Sequence, residues 1–332
     1  MSDARDEVLR WVRAGAIPAA RSREALQAVQ ATPTAADWQR FLERALVLFA
    51  AIALVAALGF FIAANWSALG RFGKLGLIEL AIVAAIVVAL WRGIDSTFGR
   101  AGVLAACIAT GTLLAFVGQT YQTGADTWEL FAAWAAAIVA WTLVSRQPAA
   151  WVLWIAIVDV GAWLYFEHAA SAARLVFGEG AAMWATLAVH AIATVAWEAG
   201  RTRGIAWMDV NWAPRFIVVV ALGVATVLAV DAMVANRRAA PGWLALGVYG
   251  ATLAAVYYAY RLRRTDLFIL SAAALSVIVF VVAAIARADP FDSAFGLLLI
   301  GIVIVGLTGL AATWLRSVAR HARALPDTGV QL

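Results

Sequence analysis

The sequence predicts an all-α fold, a polytopic integral membrane helix bundle of about ten transmembrane helices behind a short cytoplasmic N-terminal helical hairpin. Three observations carry that reading. The 332 residues are 64% hydrophobic and only 14% charged, with a mean hydropathy of +0.87, where a soluble domain is about a quarter charged. Apolar runs of the length that crosses a hydrocarbon core of roughly 30 Å, at about 1.5 Å per residue, recur along the chain. The basic residues collect in alternate connectors between those runs.

Residues 1–42 are the soluble part. Val8, Trp11 and Val12 share one helical face, Gly15 suits a helix stop, and Pro18 suits the first position of a second helix carrying Ala25, Leu26 and Val29. The spacing Thr34-Ala-Ala-Asp37 then resembles a capping box, starting a helix that runs through Trp38 and Phe41 straight into the membrane. Two roles suit the hairpin: an amphipathic pair lying on the membrane or the bundle, or a docking module for a cytoplasmic protein partner.

The transmembrane bundle occupies residues 43–315, with spans at 43–64, 74–92, 101–119, 128–145, 149–166, 180–197, 215–234, 242–260, 266–286 and 294–315. Residues 316–332 form a tail. So much polar sequence before the first apolar run is the wrong layout for a cleavable signal, so that run is expected to be an uncleaved anchor. Of the 25 Lys and Arg, 19 fall in the N-terminal region, the even-numbered loops and the tail, and six in the odd-numbered loops. That asymmetry places both termini in the cytoplasm. Trp66, Trp91, Trp128, Trp151, Trp197 and Trp314 lie near span ends, where indoles favour the interface.

A pI of about 9.9 does not imply nucleic acid, because the arginines are scattered among connectors and form no patch. The single cysteine, Cys107, excludes an intrachain disulfide and any cysteine cluster. Small residues at Gly102, Ala106, Cys107, Gly111 and Ala115 give the third span a face that another backbone can approach closely.

Two stretches carry a resemblance. The hairpin segment "RAGAIPAARSREAL", a helix ending "IAANW" and the stretch "GQTYQTGADTWELFAAW" together resemble the bacterial predicted membrane proteins catalogued as domain of unknown function 2157. The resemblance covers roughly residues 5–160 and rests on Asn65 and Trp66, then on Gly118, Gln119, Tyr121, Gly124, Asp126 and Trp134. It implies a bacterial inner-membrane protein and supplies no activity.

In the predicted orientation Asn65 and Trp66 leave the first span on the outer side, where Gln119, Tyr121 and Gln122 leave the third. A run of neutral hydrogen-bonding groups there suits an outer vestibule for a polar solute. The plainer reading makes Asn65 a left-handed helix stop, Trp66 an interfacial anchor and Asp126 the N-cap of the fourth span through Glu129.

Ionisable groups at membrane depth are costly and mark functional sites or interhelical ties. Asp159 and His190 sit near the middle of consecutive spans, separated in depth by roughly 4–5 Å, and are placed to pair. Thr186, His190 and Thr194 recur every four residues, giving the sixth span one polar stripe. Glu79 lies about 6 Å outward of the middle of the second span. The group reads either as a structural tie or as a proton relay, since a carboxylate beside an imidazole exchanges protons near neutral pH.

No P-loop, HExxH or GxSxG sequence occurs, and the three histidines fall at different depths, so neither an enzyme, a cofactor nor a metal is expected. An intramembrane hydrolase built on Asp159 would need a second carboxylate, for which Glu79 is a rough match. Two functions remain: a carrier or channel for a small polar solute or ion, proton-linked through Asp159 and His190; or a non-catalytic scaffold, sensor or envelope-maintenance protein acting through its hairpin.

Overall fold

A computed structural model describes residues 7, 8, 10–12, 14–29, 34–65, 67–122, 124–168, 180–234, 242–287 and 294–324. Within them the chain is helical throughout, with no strand. The ten long helices are α1 (Ala35–Ala64), α2 (Arg71–Arg92), α3 (Thr97–Tyr121), α4 (Thr127–Ser145), α5 (Pro148–His168), α6 (Ala181–Thr202), α7 (Trp212–Val234), α8 (Gly242–Tyr257), α9 (Leu267–Ala286) and α10 (Ala294–Ala324). A π-helical turn, Tyr258–Arg263, extends α8.

Nine of the ten are long and apolar enough to cross a membrane. The exception is α6, which has the length, at 22 residues, and lacks the hydropathy. Its deficit has a visible cause: Thr186, His190, Thr194, Glu198 and Thr202 recur every four residues and occupy positions that its neighbours fill with aliphatics.

The hairpin turn is a Schellman motif. Gly15 takes φ 75°, its N–H donates to the Val12 carbonyl at 3.1 Å, and the Ala16 N–H reaches the Trp11 carbonyl at 2.9 Å. A 3-10 turn, Ala19–Arg21, then leads into a short helix, Ser22–Ala28, so Pro18 stands one position before the helical turn. Thr34 and Asp37 form a full capping box, with the Thr34 hydroxyl oxygen accepting from the Asp37 N–H and the Asp37 carboxylate accepting from the Thr34 N–H at 2.8 Å. Helix α1 therefore begins well before residue 43. At the other end of the chain α10 stays helical through Ala324, past residue 315; residues 325–332 lie outside the described residues.

Packing gathers the ten helices into two groups around α3 and α7 within one continuous bundle, since the α5–α6 contact that links the groups is as extensive as any inside the second. In the first, α3 is central and packs against α1, α2, α4 and α5. Its small residues explain that position: a β-carbon at Gly102 would run into the Ala85 carbonyl, and one at Gly111 into the Trp134 indole. Trp134 lies close enough for its Nε1–H to donate to the Cys107 carbonyl at 2.8 Å. In the second group α7 is central, packing against α6, α8 and α9, with α10 against α9. The two groups meet mainly where α5 packs on α6, with α5 also touching α7.

Candidate functional site

The seam between the two groups holds the intramembrane pair. Asp159 on α5 and His190 on α6 approach to 3.9 Å between Oδ1 and Nδ1, with side-chain exposures of 21% and 4%. His190 Nδ1 also lies 3.1 Å from the Thr186 carbonyl. A carbonyl only accepts, so Nδ1 carries a hydrogen. Asp159 Oδ1 and the Thr186 hydroxyl lie close to one another, buried without a well-formed hydrogen bond among the described residues. Unspent polar atoms at one seam mark a place where a proton, a water or a small ion is chemically welcome.

The stripe runs on from that pair. Thr194 donates its hydroxyl hydrogen back to the His190 carbonyl at 2.8 Å. Two turns beyond His190, roughly 12 Å along the axis, Glu198 enters a charged network at the end of α6. Its Oε1 accepts from the Tyr260 hydroxyl at 2.9 Å and from Arg201 Nη1 at 3.3 Å. Arg201 in turn donates to Asn211 at 3.0 Å, and Arg264 pairs with Asp209 at 3.7 Å.

Two backbone features assemble the network. Gly204, at φ 75°, closes α6 with the Ile205 N–H on the Gly200 carbonyl at 3.1 Å, folding residues 205–211 back beneath the helix. The turn is pinned there by Trp197, whose Nε1–H donates to the Met208 carbonyl at 3.0 Å, and by the stack of Trp207 on Trp151. The π-turn of α8 supplies the rest: the Arg264 N–H reaches the Ala259 carbonyl, five residues back, at 2.9 Å, which sets Tyr260 inward. Such turns recur at functional sites.

At the opposite end, Ile62 of α1, Ile78 of α2 and Phe116 of α3 share one apolar cluster, so Asn65 and Gln119, each three residues further on, stand at the same end of the bundle. Asn65 closes α1 without the left-handed backbone expected of it: φ is −107°, and its side-chain amide donates to the Phe61 carbonyl at 2.8 Å. The left-handed residue is Gln122, at φ 45°, ending α3. Asp126 donates its N–H to the Glu129 carboxylate at 2.9 Å, the return half of a capping box. Gln119, Tyr121, Gln122 and Asp126 are all exposed, and Trp66 lies outside the described residues. Glu79 is not part of the seam; it is exposed on α2, beside the buried Ile78.

With that geometry in place, comparison with known proteins finds one assignment. The sequence model of the family described as "Predicted membrane protein (DUF2157)" matches residues 9–151. That match covers less than half of the chain. No curated protein and no solved structure matches the chain. The DUF2157 region takes in the hairpin and α1 to α4 and ends at Trp151, in the first turn of α5. Asp159, His190 and the whole second group lie beyond it, so the family lends the seam no role.

The charged network escaped the sequence reading. Glu198 was visible as the next member of the four-residue stripe, eight positions after His190. Its partner Tyr260 was not, because 62 residues separate them and the π-turn shifts the face on which Tyr260 lies.

Proposed function

We propose that this multi-pass membrane protein is a non-catalytic, proton-linked carrier or channel for a small polar solute or ion, seated in the bacterial inner membrane with both termini in the cytoplasm. The observation that carries this reading is the position of the Asp159–His190 pair: 3.9 Å apart, on the two helices that join the five-helix groups. A change of charge there acts on the contact that links the helices around α3 to those around α7. The continuous stripe from Thr186 to Glu198 gives a proton a polar face to follow toward one membrane surface. Orientation rests on the basic-residue asymmetry, and Gln119, Tyr121 and Gln122 would then face the outer side.

The test is a proteoliposome assay with a pH-sensitive dye inside and a panel of small polar solutes outside. The reading requires solute-dependent proton movement with the native chain and its loss with Asp159→Asn. Equal movement with both proteins overturns it.

A scaffold or sensor working through residues 1–42 is the second reading. It is favoured by Trp11, Trp38 and Phe41, which are 47%, 56% and 60% exposed on the hairpin and the first turns of α1. Deleting residues 1–30 would abolish a scaffold's partner binding and leave proton movement intact.

A further inference from the structure

We infer that the groove between α8, α9 and α10 is a binding site for an anionic phospholipid, with an acyl chain along its apolar wall and the phosphate at Arg261. The groove is a cavity of about 590 Å³ walled by Tyr257, Leu270, Val277, Leu307, Leu310 and Trp314, among other apolar residues. On α10 those positions follow the helical repeat (307, 310, 314), and on α9 they span Leu270 to Val277, so the wall runs roughly 10 Å along the helix axes. Such a wall, open on one side to the hydrocarbon, fits a chain better than a polar solute.

Charge fixes which end holds the headgroup. Tyr257, Leu270 and Trp314 mark the end where α8 finishes, α9 begins and α10 nears its last turns. There the sequence adds Arg261, Arg263, Arg264, Arg316 and Arg320, with His321 seven residues beyond Trp314 on the same face. The three arginines of the π-turn are not equivalent. Arg264 is taken by Asp209, and Arg263 donates from Nε and Nη2 to the Tyr258 hydroxyl at 2.9 and 2.7 Å. Arg261, four residues beyond the groove-lining Tyr257 and half-buried, has no partner among the described residues. Asp266, five residues on, is already held by Arg215 at 2.9 Å and caps α9, so it does not compete for Arg261. An apolar trough leading to an uncommitted guanidinium is complementary to a phosphodiester on acyl chains, whose oxygens can accept paired hydrogen bonds from a guanidinium fork.

The experiment is native mass spectrometry of the full chain, released from detergent after incubation with phosphatidylglycerol or phosphatidylcholine of matched chains. We expect one phosphatidylglycerol to be retained in preference to phosphatidylcholine. Arg261→Gln should weaken that preference roughly fivefold, the effect of one basic residue at a lipid surface, and Ala311→Trp, which fills the groove, should remove both lipids. Arg92→Gln, on the other five-helix group, should change neither. Equal retention of the two lipids, or retention unchanged by both Arg261→Gln and Ala311→Trp, overturns the proposal. So does a concentration-dependent dimer that Ala311→Trp dissociates, which would make the occupant a second copy of the chain.

Discussion

His190 Nδ1 stands 3.9 Å from Asp159 Oδ1 across the seam of the bundle, yet its hydrogen goes to the Thr186 carbonyl of its own helix at 3.1 Å. The two residues are therefore neighbours whose contact is not saturated. A saturated tie would hold α5 against α6 permanently; this one leaves room for the two side chains to close further.

That arrangement predicts a small coupling. In a double-mutant cycle with Asp159→Asn and His190→Gln, followed by unfolding in mixed micelles, the interaction energy should be about 0.6 kcal/mol and no more than about 2 kcal/mol, the range of interhelical polar contacts in membranes. A coupling well above that range would identify the pair as a structural tie.

The charged end of α6 should matter more to stability. Tyr260 is 3% exposed, and its hydroxyl serves the Glu198 carboxylate at 2.9 Å. Tyr260→Phe should cost about 1.5–3 kcal/mol, as for a hydrogen bond to a charged group, read as a lower midpoint of unfolding. An unchanged midpoint would remove the network from the account of how α6 is held to the π-turn.

Close approach within the first group can be tested at two glycines of one helix. Gly111→Ala drives a β-carbon into the Trp134 indole, whereas Gly118 has open space around it. Gly111→Ala should destabilise by about 1–3 kcal/mol, and Gly118→Ala should be neutral or slightly stabilising. Thermal unfolding of the two variants side by side distinguishes them.

Topology is checked by cysteine labelling from outside intact cells. Cys107 is fully buried and stays silent. Asp95, with a side-chain exposure of 95%, lies in the α2–α3 connector, and the exposed Ala125 lies in the α3–α4 connector. With both termini cytoplasmic, a membrane-impermeant maleimide should label Ala125→Cys and not Asp95→Cys. The reverse pattern would invert the orientation.

The elements that local chemistry dictates were legible in the sequence. Hydrophobic run length located the long helices, and Thr34-Ala-Ala-Asp37 announced the start of α1, because a capping box is made within one turn. Gly15 announced the hairpin stop for the same reason. What local chemistry does not encode was not legible. Which helices pack together depends on side chains far apart in the chain, so the grouping around α3 and α7, which makes the α5–α6 contact a seam, emerged only in three dimensions. Asn65 shows the same limit on a smaller scale: the residue type correctly marked the end of α1, while the choice between left-handed backbone and side-chain cap fell to Gln122 and Asn65 respectively, each in its own helix. The π-turn at Tyr258–Arg263 has no sequence period of its own, and with it went Tyr260, Arg264 and Arg261.

A change of charge at the Asp159–His190 contact is expected to shift α4 relative to α9. That shift is tested most directly by a distance between them, measured by electron paramagnetic resonance on spin labels at Val144→Cys on α4 and Leu275→Cys on α9, both exposed positions, with the buried Cys107 left in place. Two distance populations are expected in lipid nanodiscs, their ratio shifting between about pH 8 and pH 5, where an imidazole changes charge, and frozen by Asp159→Asn. A single distribution, unchanged across that interval in the native pair background, would contradict it.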